Sequence, residues 1–293
     1  MPPTPKIVLV VYHRAIAGSA SFARMIISDL QASGIRAEML TVSELPTATT
    51  MTMIDMMIAV GGDGTMLRAS RVAAGMGIPV LGVNMGHLGF LLEVTPADWQ
   101  SALNQIRMGE YWLEPRRMVM ATHFRDGEEL GSYHALNEMV IARGGQARPV
   151  RLRTQIDHEM LTTYLADGLI ISTATGSTAY ALAAGGPILP PTLPNLVLIP
   201  VAPHLSVDRA IVLAEGTVID VQVFTHHQAL LSSDGHADIH LRNGDAIRIE
   251  SSNFQVEFVR IQDKTYFYRN ITARLVFSGE RWDEEETQTI KEQ

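Results

Sequence analysis

The amino-acid sequence predicts two domains of different class, a doubly wound α/β domain followed by a domain built only of β-strands. At 293 residues the chain exceeds an average single domain, and 46% hydrophobic with 18% charged residues is typical of a globular protein. In the first part of the chain, continuous apolar runs alternate with segments of helical spacing, which is typical of a parallel sheet covered by helices. From about Pro115 apolar residues recur at every second position, which indicates half-buried strands.

The first domain is predicted to begin with a strand over Ile7–Val11, because a continuous apolar run is typical of strands buried on both faces. A helix follows, since the apolar residues from Phe22 to Leu30 share one helical face and Gly34 comes next as a C-terminal stop. The later elements are, in order, a strand over 54–60, a helix over 66–74, a strand over 78–83 and a helix opened by the residues from Thr95 to Asp98.

In the second domain, apolar and polar residues alternate along three segments, residues 150–156, 219–223 and 254–258. The dipeptides Asp126-Gly127 and Asn243-Gly244 lie between such segments, where paired strands need a tight turn with positive φ. One irregular segment, rich in small and hydroxyl residues, runs from Thr173 to Pro191. We therefore expect an all-β layer structure with a single interruption.

The composition excludes several classes of function. The chain contains no cysteine, so disulfide frameworks, thiolate nucleophiles and iron–sulfur clusters are ruled out, and its net charge of −8 gives no overall attraction to nucleic acid. The apolar runs are far shorter than the roughly 20 residues of a membrane span, and the first residues lack the features of a signal peptide. The ten histidines show no metal-binding spacing. We expect a cytoplasmic protein without nucleic-acid or membrane partners and without a metal held by fixed protein ligands.

The segment Gly61–Thr65, with the sequence GGDGT, follows a predicted buried strand and precedes a predicted helix. At this position of an open α/β sheet, the helix N-terminus offers unpaired N–H groups to an anion, and glycines let the backbone approach it closely. Asp63 adds a carboxylate that would repel a phosphate unless it binds a metal or accepts a proton from an incoming hydroxyl. The motif therefore indicates phosphoryl transfer, with simple Asp-Gly turn formation as the structural alternative.

The two standard phosphate-binding fingerprints are absent. Neither G-x-x-x-x-G-K-[ST] nor G-x-G-x-x-G follows any predicted strand. The only lysines, Lys6, Lys264 and Lys291, adjoin no glycine loop. Contacts to phosphate are therefore expected from arginine side chains and backbone amides.

A second motif runs from Asp167 to Pro187, with the sequence DGLIISTATGSTAYALAAGGP. Small hydroxyl residues and glycine leading into Tyr180 would suit close contact with a flat, polar ligand such as a nucleoside. The alternative is a purely structural serine- and threonine-rich loop that caps a short helix. Ser177 is not expected to be a hydrolase nucleophile, because no glycine stands two positions after it.

A third candidate is the pair Asn137 and Glu138, which interrupts the apolar run from Ala135 to Ala142. Neighbouring residues of a strand point to opposite faces, so at least one of these polar groups would be directed inward, where a charge requires a reason. The simpler interpretation of the pair by itself is an edge strand with both groups solvated.

Together, the three motifs resemble those of NAD kinases in both order and spacing. Gly82-Val83-Asn84, the segment Gly86–Phe90 and the segment Ala184–Pro187 are also similar to that family, and the resemblance extends from about Ile7 to Leu275. The GGDGT motif alone is shared with diacylglycerol and sphingosine kinases and with phosphofructokinases. The motif that starts at Asp167 is far more specific.

The resemblance implies an N-terminal α/β domain, a C-terminal β-sandwich-like domain and an active site between them. We accordingly expect residues 1–112, completed by a C-terminal segment of about 268–293, to form the first domain, and residues 113–267 to form the NAD-binding domain. The implied reaction is phosphorylation of the 2′-hydroxyl of the adenosine ribose of NAD by ATP and a divalent metal, with magnesium expected, to give NADP. The resemblance also implies a homodimer or homotetramer.

The functional residues of the family correspond to particular positions in this chain. The resemblance assigns the role of proton acceptor to Asp63, and the phosphate loop to Gly61, Gly62, Gly64 and Thr65. It assigns ribose contacts to Asn137 and Glu138. Taken together, the implied NAD contacts are Asp63, Gly64, Arg68, Asn137, Glu138, Arg148, Asp167, Thr178, Ala179, Tyr180, Ala183 and His236.

Two positions depart from the usual family pattern. Many relatives carry serine three positions after the tyrosine of the motif that starts at Asp167, whereas this chain has Ala183, so the hydrogen bond from that serine to the ligand is absent. Proline is usual at the position of Ala174, and alanine there should make the loop less stiff without changing its chemistry.

Two other functions are compatible with parts of the pattern. A related kinase acting on a lipid or sphingoid base would need an exposed apolar channel, and the nucleoside-like motif would serve no purpose. A non-catalytic dinucleotide sensor would bind NAD without forming NADP, but such a protein has no need of a carboxylate in a phosphate loop. The sequence leaves open the preferred phosphoryl donor, NADH as acceptor, feedback by NADP(H) and the choice between dimer and tetramer.

Overall fold

The computed structural model describes residues 2–45, 53–86, 89–145, 148–204, 207–269 and 271. They form two compact units. The α/β unit takes the chain up to Val72, then Ile78–Glu114 and the chain from Phe258 onward, and the β unit takes Ala73–Gly77 and Pro115–Glu257. The C-terminal segment expected to complete the first domain, about 268–293, lies almost wholly outside the described residues.

The α/β unit is built on a parallel sheet. Its strands are β1 (Ile7–Tyr12), β2 (Arg36–Thr41), β3 (Met56–Gly61) and β4 (Val80–Asn84), and its helices are α1 (Ser19–Ala32), α2 (Asp63–Met76) and α3 (Trp99–Met108). The strand order is β2-β1-β3-β4, and Phe258 pairs with Val80 on the far side of β4. Every residue of β3 and β4 is buried, as the continuous apolar runs predict for strands covered on both faces.

Helices lie on both faces of this sheet. Leu81 and Val83 pack in one core with Ile26 of α1 and Trp99 of α3. Gly82 stands between them and therefore faces the other side, where a Cβ built on it would lie 3.2 Å from the sulfur of Met66 in α2. The predicted doubly wound α/β class is thus confirmed for this unit.

The boundaries of two helices differ from the sequence predictions. Helix α2 begins at Asp63, three residues early, because the carbonyl of Gly62 accepts hydrogen bonds from the N–H groups of Thr65 (2.9 Å) and Met66 (3.1 Å) and closes an additional first turn. Helix α3 begins only at Trp99, since the preceding residues form a turn in which Asp98 N–H donates to the Thr95 carbonyl. Strand β2 was not predicted, because only part of it is buried and it has no continuous apolar run.

The β unit consists of two sheets. One contains β5 (Trp112–Arg125), β6 (Glu128–Ala135), β8 (Val150–Ile156), β9 (Glu159–Ala166), β13 (Ile219–Phe224) and β16 (Ala246–Arg260), and the other contains β7 (Glu138–Arg143), β10 (Gly168–Thr173), β11 (Leu196–Val201), β12 (Ile211–Leu213), β14 (Ala229–Ser233) and β15 (His236–Leu241). The first residues of β5 and the last of β16 belong to the α/β unit.

The two sheets of the β unit share one apolar core. Leu152 and Val221 of the first sheet and Ile141 and Leu169 of the second are fully buried in it. The pairs β8–β9, β8–β13 and β13–β16 and all pairs of the second sheet are antiparallel. The β-sandwich-like class is therefore confirmed. In the described part of the chain, no helix has both the length and the apolarity to cross a membrane.

Only one of the two dipeptides predicted to close a hairpin does so. Asp126 (φ 53°) and Gly127 (φ 84°) join β5 to β6, which pair antiparallel. Gly244 also has positive φ, 93°, but the turn of Asn243 and Gly244 joins β15 to β16, which lie in different sheets. The dipeptide indicates the backbone conformation correctly, whereas the pairing partners of the flanking strands depend on residues distant in sequence.

Candidate active site

The GGDGT motif lies at the carboxyl end of β3, where the strand order of the parallel sheet reverses. Strand β1 has β2 on one side and β3 on the other, so loops leaving β1 and β3 diverge at this edge. Such a switch point is where open α/β sheets bind their ligands. Gly62 and Asp63 are partly exposed and Gly64 is exposed, so the first turn of α2 reaches the surface.

The glycines of this motif serve different purposes. A Cβ on Gly61 would overlap the side chain of Thr65, which is 2% exposed, so this glycine is required by packing. The carbonyl of Gly61 also accepts a hydrogen bond from the N–H of Met85 at 2.9 Å. Gly62 and Gly64 have open space at the Cβ position, so no steric contact requires them. Glycine at these two positions would instead let an anion approach the backbone amides of the helix N-terminus closely.

The carboxylate of Asp63 is held by the backbone of the segment that follows β4. Its Oδ2 accepts a hydrogen bond from the N–H of Phe90 (3.2 Å), and its Oδ1 accepts one from the N–H of Leu91 (3.3 Å). A Cβ on Gly89 would overlap both carboxylate oxygens, so a glycine at this position is what allows Asp63 to lie here. The neighbouring His87 and Leu88 lie outside the described residues. The carboxylate is thereby fixed in orientation, as a positioned proton acceptor requires.

In the β unit, Asn137 and Glu138 lie at the start of β7. This strand pairs with β10 on one side and β14 on the other, and the two side chains are 8% and 7% exposed. The expectation of a solvated edge strand was therefore wrong. The sequence around the pair could not show this, because both neighbouring strands come much later in the chain.

Sequence reasoning missed Asp234, which organises this polar pair. Its carboxylate accepts hydrogen bonds from the backbone N–H groups of Leu136 (2.8 Å), Asn137 (2.8 Å) and Glu138 (3.2 Å). Asp234 is 7% exposed and has φ 50°, and with Gly235 it forms the turn between β14 and β15. The only signal in the sequence was another Asp-Gly dipeptide, which is common in turns.

Two buried oxygens of the pair, Oδ1 of Asn137 and Oε2 of Glu138, make no hydrogen bond within the described part of the protein. Burial raises the pKa of Glu138 to about 8, and the negative charge of Asp234 adds to the rise. Buried polar atoms without partners cost free energy, so they are expected to be satisfied by a ligand or by water. Asn137 and Glu138 are therefore candidate ligand contacts.

The loop after β10 uses most of its hydroxyl groups to hold itself together. The hydroxyl of Thr173 donates to the carbonyl of Leu136 (2.6 Å) and accepts from the N–H of Gly176 (3.1 Å). A Cβ on Gly176 would overlap the carbonyl oxygen of Asn137, so the loop packs directly against the polar pair. Ser177 is fully buried, and its hydroxyl donates to the carbonyl three residues earlier (2.7 Å). For Thr173, Gly176 and Ser177, the contacts fit the alternative interpretation of the motif as a structural loop.

The end of this loop reaches the surface. A short 3-10 helix over Gly176–Thr178 leads into α4 (Tyr180–Ala183). Thr178 and Ala179 are partly exposed, Tyr180 is 45% exposed and Ala183 is exposed. Of the loop residues that the resemblance assigns to the ligand, all four thus have surface available for contact.

The remaining predicted contacts do not all lie near this group. His236 is partly exposed and follows directly after the turn that contains Asp234. Asp167 pairs with Arg143 (Nε to Oδ1 2.8 Å) at the far end of β7, five residues from Glu138 and therefore about 16 Å away. Arg148, beyond the same end, is exposed and lies 3.2 Å from the ring nitrogen of His227.

In the α/β unit, Arg68 is partly exposed on α2 and lies five residues after Asp63. Over the described ranges, no group of three or more His, Asp or Glu side chains is arranged to hold a metal ion.

Comparison with known protein families assigns both parts of the chain. Residues 13–111 match the ATP-NAD kinase N-terminal domain, and residues 136–261 match the ATP-NAD kinase C-terminal domain. An NAD kinase from Chloroflexus aggregans is 47% identical over 221 residues, which span 75% of this chain and 80% of the relative. An NAD kinase from Moorella thermoacetica is 41% identical over 230 residues, 78% of this chain and 73% of the relative.

Solved structures agree in fold. The crystal structure of yeast NADH kinase complexed with NADH superposes with a TM-score of 0.83 at 22% identity, covering 95% of this chain and 93% of that one. An NAD kinase from Archaeoglobus fulgidus in complex with ATP gives a TM-score of 0.71 at 24% identity, covering 92% and 98%. The resemblance drawn from the motifs is confirmed.

Replacing Gly89 by alanine should displace the Asp63 carboxylate and slow phosphoryl transfer at least about tenfold, because small misplacements of reacting groups carry large rate costs. Thermal stability should change little, since the overlap is with the end of a side chain that can rotate away. A crystal structure and a steady-state rate measurement would check both parts. Gly75→Ala in α2, where an added Cβ meets nothing, is the matched control and should keep the normal rate. A normal rate for Gly89→Ala would contradict the argument.

The raised pKa of Glu138 predicts a pH dependence of stability. Between its ordinary value of 4.5 and about 8 the unfolded chain releases the proton while the native state keeps it, so this group lowers the free energy of unfolding as pH rises through that window. The variant Glu138→Gln should therefore match the wild type near pH 4 and be more stable near pH 9. Urea denaturation of ligand-free protein across this range measures the difference. Equal pH profiles for the two proteins would show that Glu138 is not buried as described.

Proposed function

The chain belongs to the NAD kinase family, and we propose that it transfers a phosphoryl group from ATP to the 2′-hydroxyl of the adenosine ribose of NAD, with Asp63 as acceptor of the hydroxyl proton. One observation carries the role of Asp63. Its carboxylate stands at the carboxyl end of a buried strand, in the first turn of α2, and two backbone amides fix its direction.

A carboxylate is far too weak a base to deprotonate a ribose hydroxyl before the reaction begins. In phosphoryl transfer with a loose transition state, most acceleration comes from positioning and from stabilisation of charge on the phosphate oxygens. We therefore assign Asp63 two tasks. It orients the hydroxyl by accepting its hydrogen bond, and it takes the proton late, as the new phosphate ester bond forms.

The first turn of α2 supports a phosphate-binding role for Gly61, Gly62, Gly64 and Thr65. Gly62 and Gly64 have no side chain and have open space where a Cβ would stand, and a helix N-terminus favours negative charge. Arg68 lies one turn further along the same helix and is a candidate for an additional phosphate or ligand contact. A divalent cation, which we expect to be magnesium, would enter with ATP and neutralise part of the phosphate charge.

Asn137 and Glu138 are suited to bind ribose. A ribose hydroxyl both donates and accepts hydrogen bonds, and the Asn137 amide can do the same. Since the pKa of Glu138 is raised to about 8, its carboxyl group is protonated at neutral pH and can also donate as well as accept. Their unpartnered oxygens support this assignment.

We propose the exposed end of the loop, Thr178, Ala179, Tyr180 and Ala183, as the contact for a base of NAD. An exposed tyrosine ring offers a flat surface on which a base can stack. Asp167, Arg148 and His236 are proposed as further contacts from the resemblance. We also expect a cytoplasmic homodimer or homotetramer, as the resemblance implies.

Asp63→Asn should lower the rate of NADP formation at least about a hundredfold, because amide nitrogen and oxygen cannot accept the proton. The fold should be retained, since the amide oxygen can keep one of the two backbone hydrogen bonds. Purified protein with NAD, ATP and magnesium, assayed for NADP, measures the rate. Wild-type protein that binds NAD and forms no NADP would instead indicate a dinucleotide sensor, and near-normal turnover in the variant would remove Asp63 from the mechanism.

Ala183→Ser should improve NAD binding, because it restores a hydroxyl that many relatives carry at this position. One additional hydrogen bond of ordinary strength would lower the KM for NAD by about two- to tenfold and leave kcat nearly unchanged. Steady-state kinetics with NAD varied at saturating ATP test this. Ala184→Ser, at the C-terminal end of α4, is the matched control and should not improve binding. An unchanged KM for Ala183→Ser would show that this position does not contact the ligand.

A further inference from the structure

We propose that Arg260 is a positioning residue for phosphoryl transfer, which acts through the backbone of Leu91 on the carboxylate of Asp63. The inference rests on the proposed role of Asp63. Arg260 is the last residue of β16 and is 2% exposed, and it does not contact Asp63 directly in any described hydrogen bond.

The guanidinium of Arg260, at the end of β16, binds one residue of β5 and two residues of the segment that follows β4. Its Nε donates to Oε2 of Glu114 at 2.7 Å, and its Nη1 donates to Oε2 of Glu93 at 3.3 Å. The same Nη1 donates to the carbonyl oxygen of Leu91 at 3.2 Å. Leu91 is also the residue whose N–H donates to Oδ1 of Asp63. The backbone of Leu91 is therefore held by Arg260 on its carbonyl side and holds Asp63 on its amide side.

The partners of Arg260 are themselves fixed. Tyr266 donates its hydroxyl hydrogen to the carboxylate of Glu114, with both oxygens at 3.0 Å, and its ring centroid lies 4.7 Å from the guanidinium carbon. Glu93 accepts hydrogen bonds from the N–H groups of Ile261 (2.7 Å) and Gln262 (2.6 Å). With these contacts, neither the guanidinium nor the carboxylates can shift without breaking several hydrogen bonds.

Stability alone is a weak explanation for this cluster. It brings one positive and two negative side chains into the interior, and the desolvation cost of such a buried group often equals or exceeds what its ion pairs contribute. Apolar residues of similar volume would serve packing as well. Apolar residues could not donate a hydrogen bond to the Leu91 carbonyl from a fixed direction. Leu91 in turn binds Asp63, the proposed proton acceptor, through its N–H group.

Arg260→Lys tests the inference, because lysine keeps the positive charge but loses the planar fork that reaches Glu114, Glu93 and Leu91 together. We expect kcat to fall at least about tenfold, with KM for NAD and for ATP changed less than about twofold. The matched control is Arg125→Lys in the β unit, where the Arg125 fork binds the buried carboxylate of Asp245 at 2.9 and 2.8 Å. That variant should lose stability and keep its kcat.

A double-mutant cycle with Asp63→Asn distinguishes a loss of kcat through mispositioning of Asp63 from a loss of kcat through a disturbed fold. If Arg260 acts through Asp63, adding Arg260→Lys to Asp63→Asn should lower kcat less than about twofold further. A full tenfold loss in both backgrounds would overturn the inference, as would an unchanged kcat in Arg260→Lys alone. Near-normal kcat in Asp63→Asn would instead refute the proposed role of Asp63.

Tyr266→Phe provides a second variant should Arg260→Lys fail to fold. It keeps the ring beside the guanidinium and removes only the hydroxyl that holds Glu114. We expect kcat to fall several-fold with KM values unchanged, and again no further loss in the Asp63→Asn background. Loss of Tm with kcat unchanged would show that the cluster serves stability only, and the inference would fail.

Discussion

Two hydrogen bonds, from the backbone amides of Phe90 and Leu91, fix the orientation of the Asp63 carboxylate at the N-terminus of α2. At the proposed phosphate site, a negative charge is useful only if its position is controlled, since a mobile carboxylate would repel phosphate without orienting the proposed acceptor hydroxyl. Several features follow from this requirement. Gly89 leaves room for the carboxylate, and in the same motif Gly61 leaves room for the side chain of Thr65.

The β unit also contains a carboxylate held by backbone amides, but there it orders a strand. Asp234 also accepts hydrogen bonds from consecutive backbone amides, but it is buried and binds three of them, those of Leu136, Asn137 and Glu138. It therefore orders the backbone at the start of β7 without using the side chains of Asn137 and Glu138, whose Oδ1 and Oε2 make no hydrogen bond in the described part of the protein. Its charge also helps to keep Glu138 protonated by raising the pKa of that group.

In the loop after β10, buried residues and surface residues have different roles. Hydroxyl groups near the strand, such as those of Thr173 and Ser177, are buried and satisfy backbone groups of the loop and of residues next to Asn137. Residues at the other end, from Thr178 to Ala183, reach the surface. The part of the motif near β10 is therefore held by internal hydrogen bonds, while the part from Thr178 to Ala183 is accessible. A loop ordered in this way loses less conformational entropy when it binds a ligand.

Apolar periodicity and glycine-rich turns are local properties of the chain, so the sequence was sufficient to predict the class of both units and the motifs of the family. It also singled out Asp63 as a candidate, because the strand, turn and helix around that residue are contiguous in the chain, and the role of Asp63 stays a prediction. The folded chain was needed to show that β7 is a central strand, that Asp234 binds the backbone at its start and that Arg260 binds the carbonyl of Leu91. It also placed Asp167 beside Arg143, at the opposite end of β7 from Glu138. These facts depend on strand pairing and burial between residues far apart in the chain, which no local pattern of residues records.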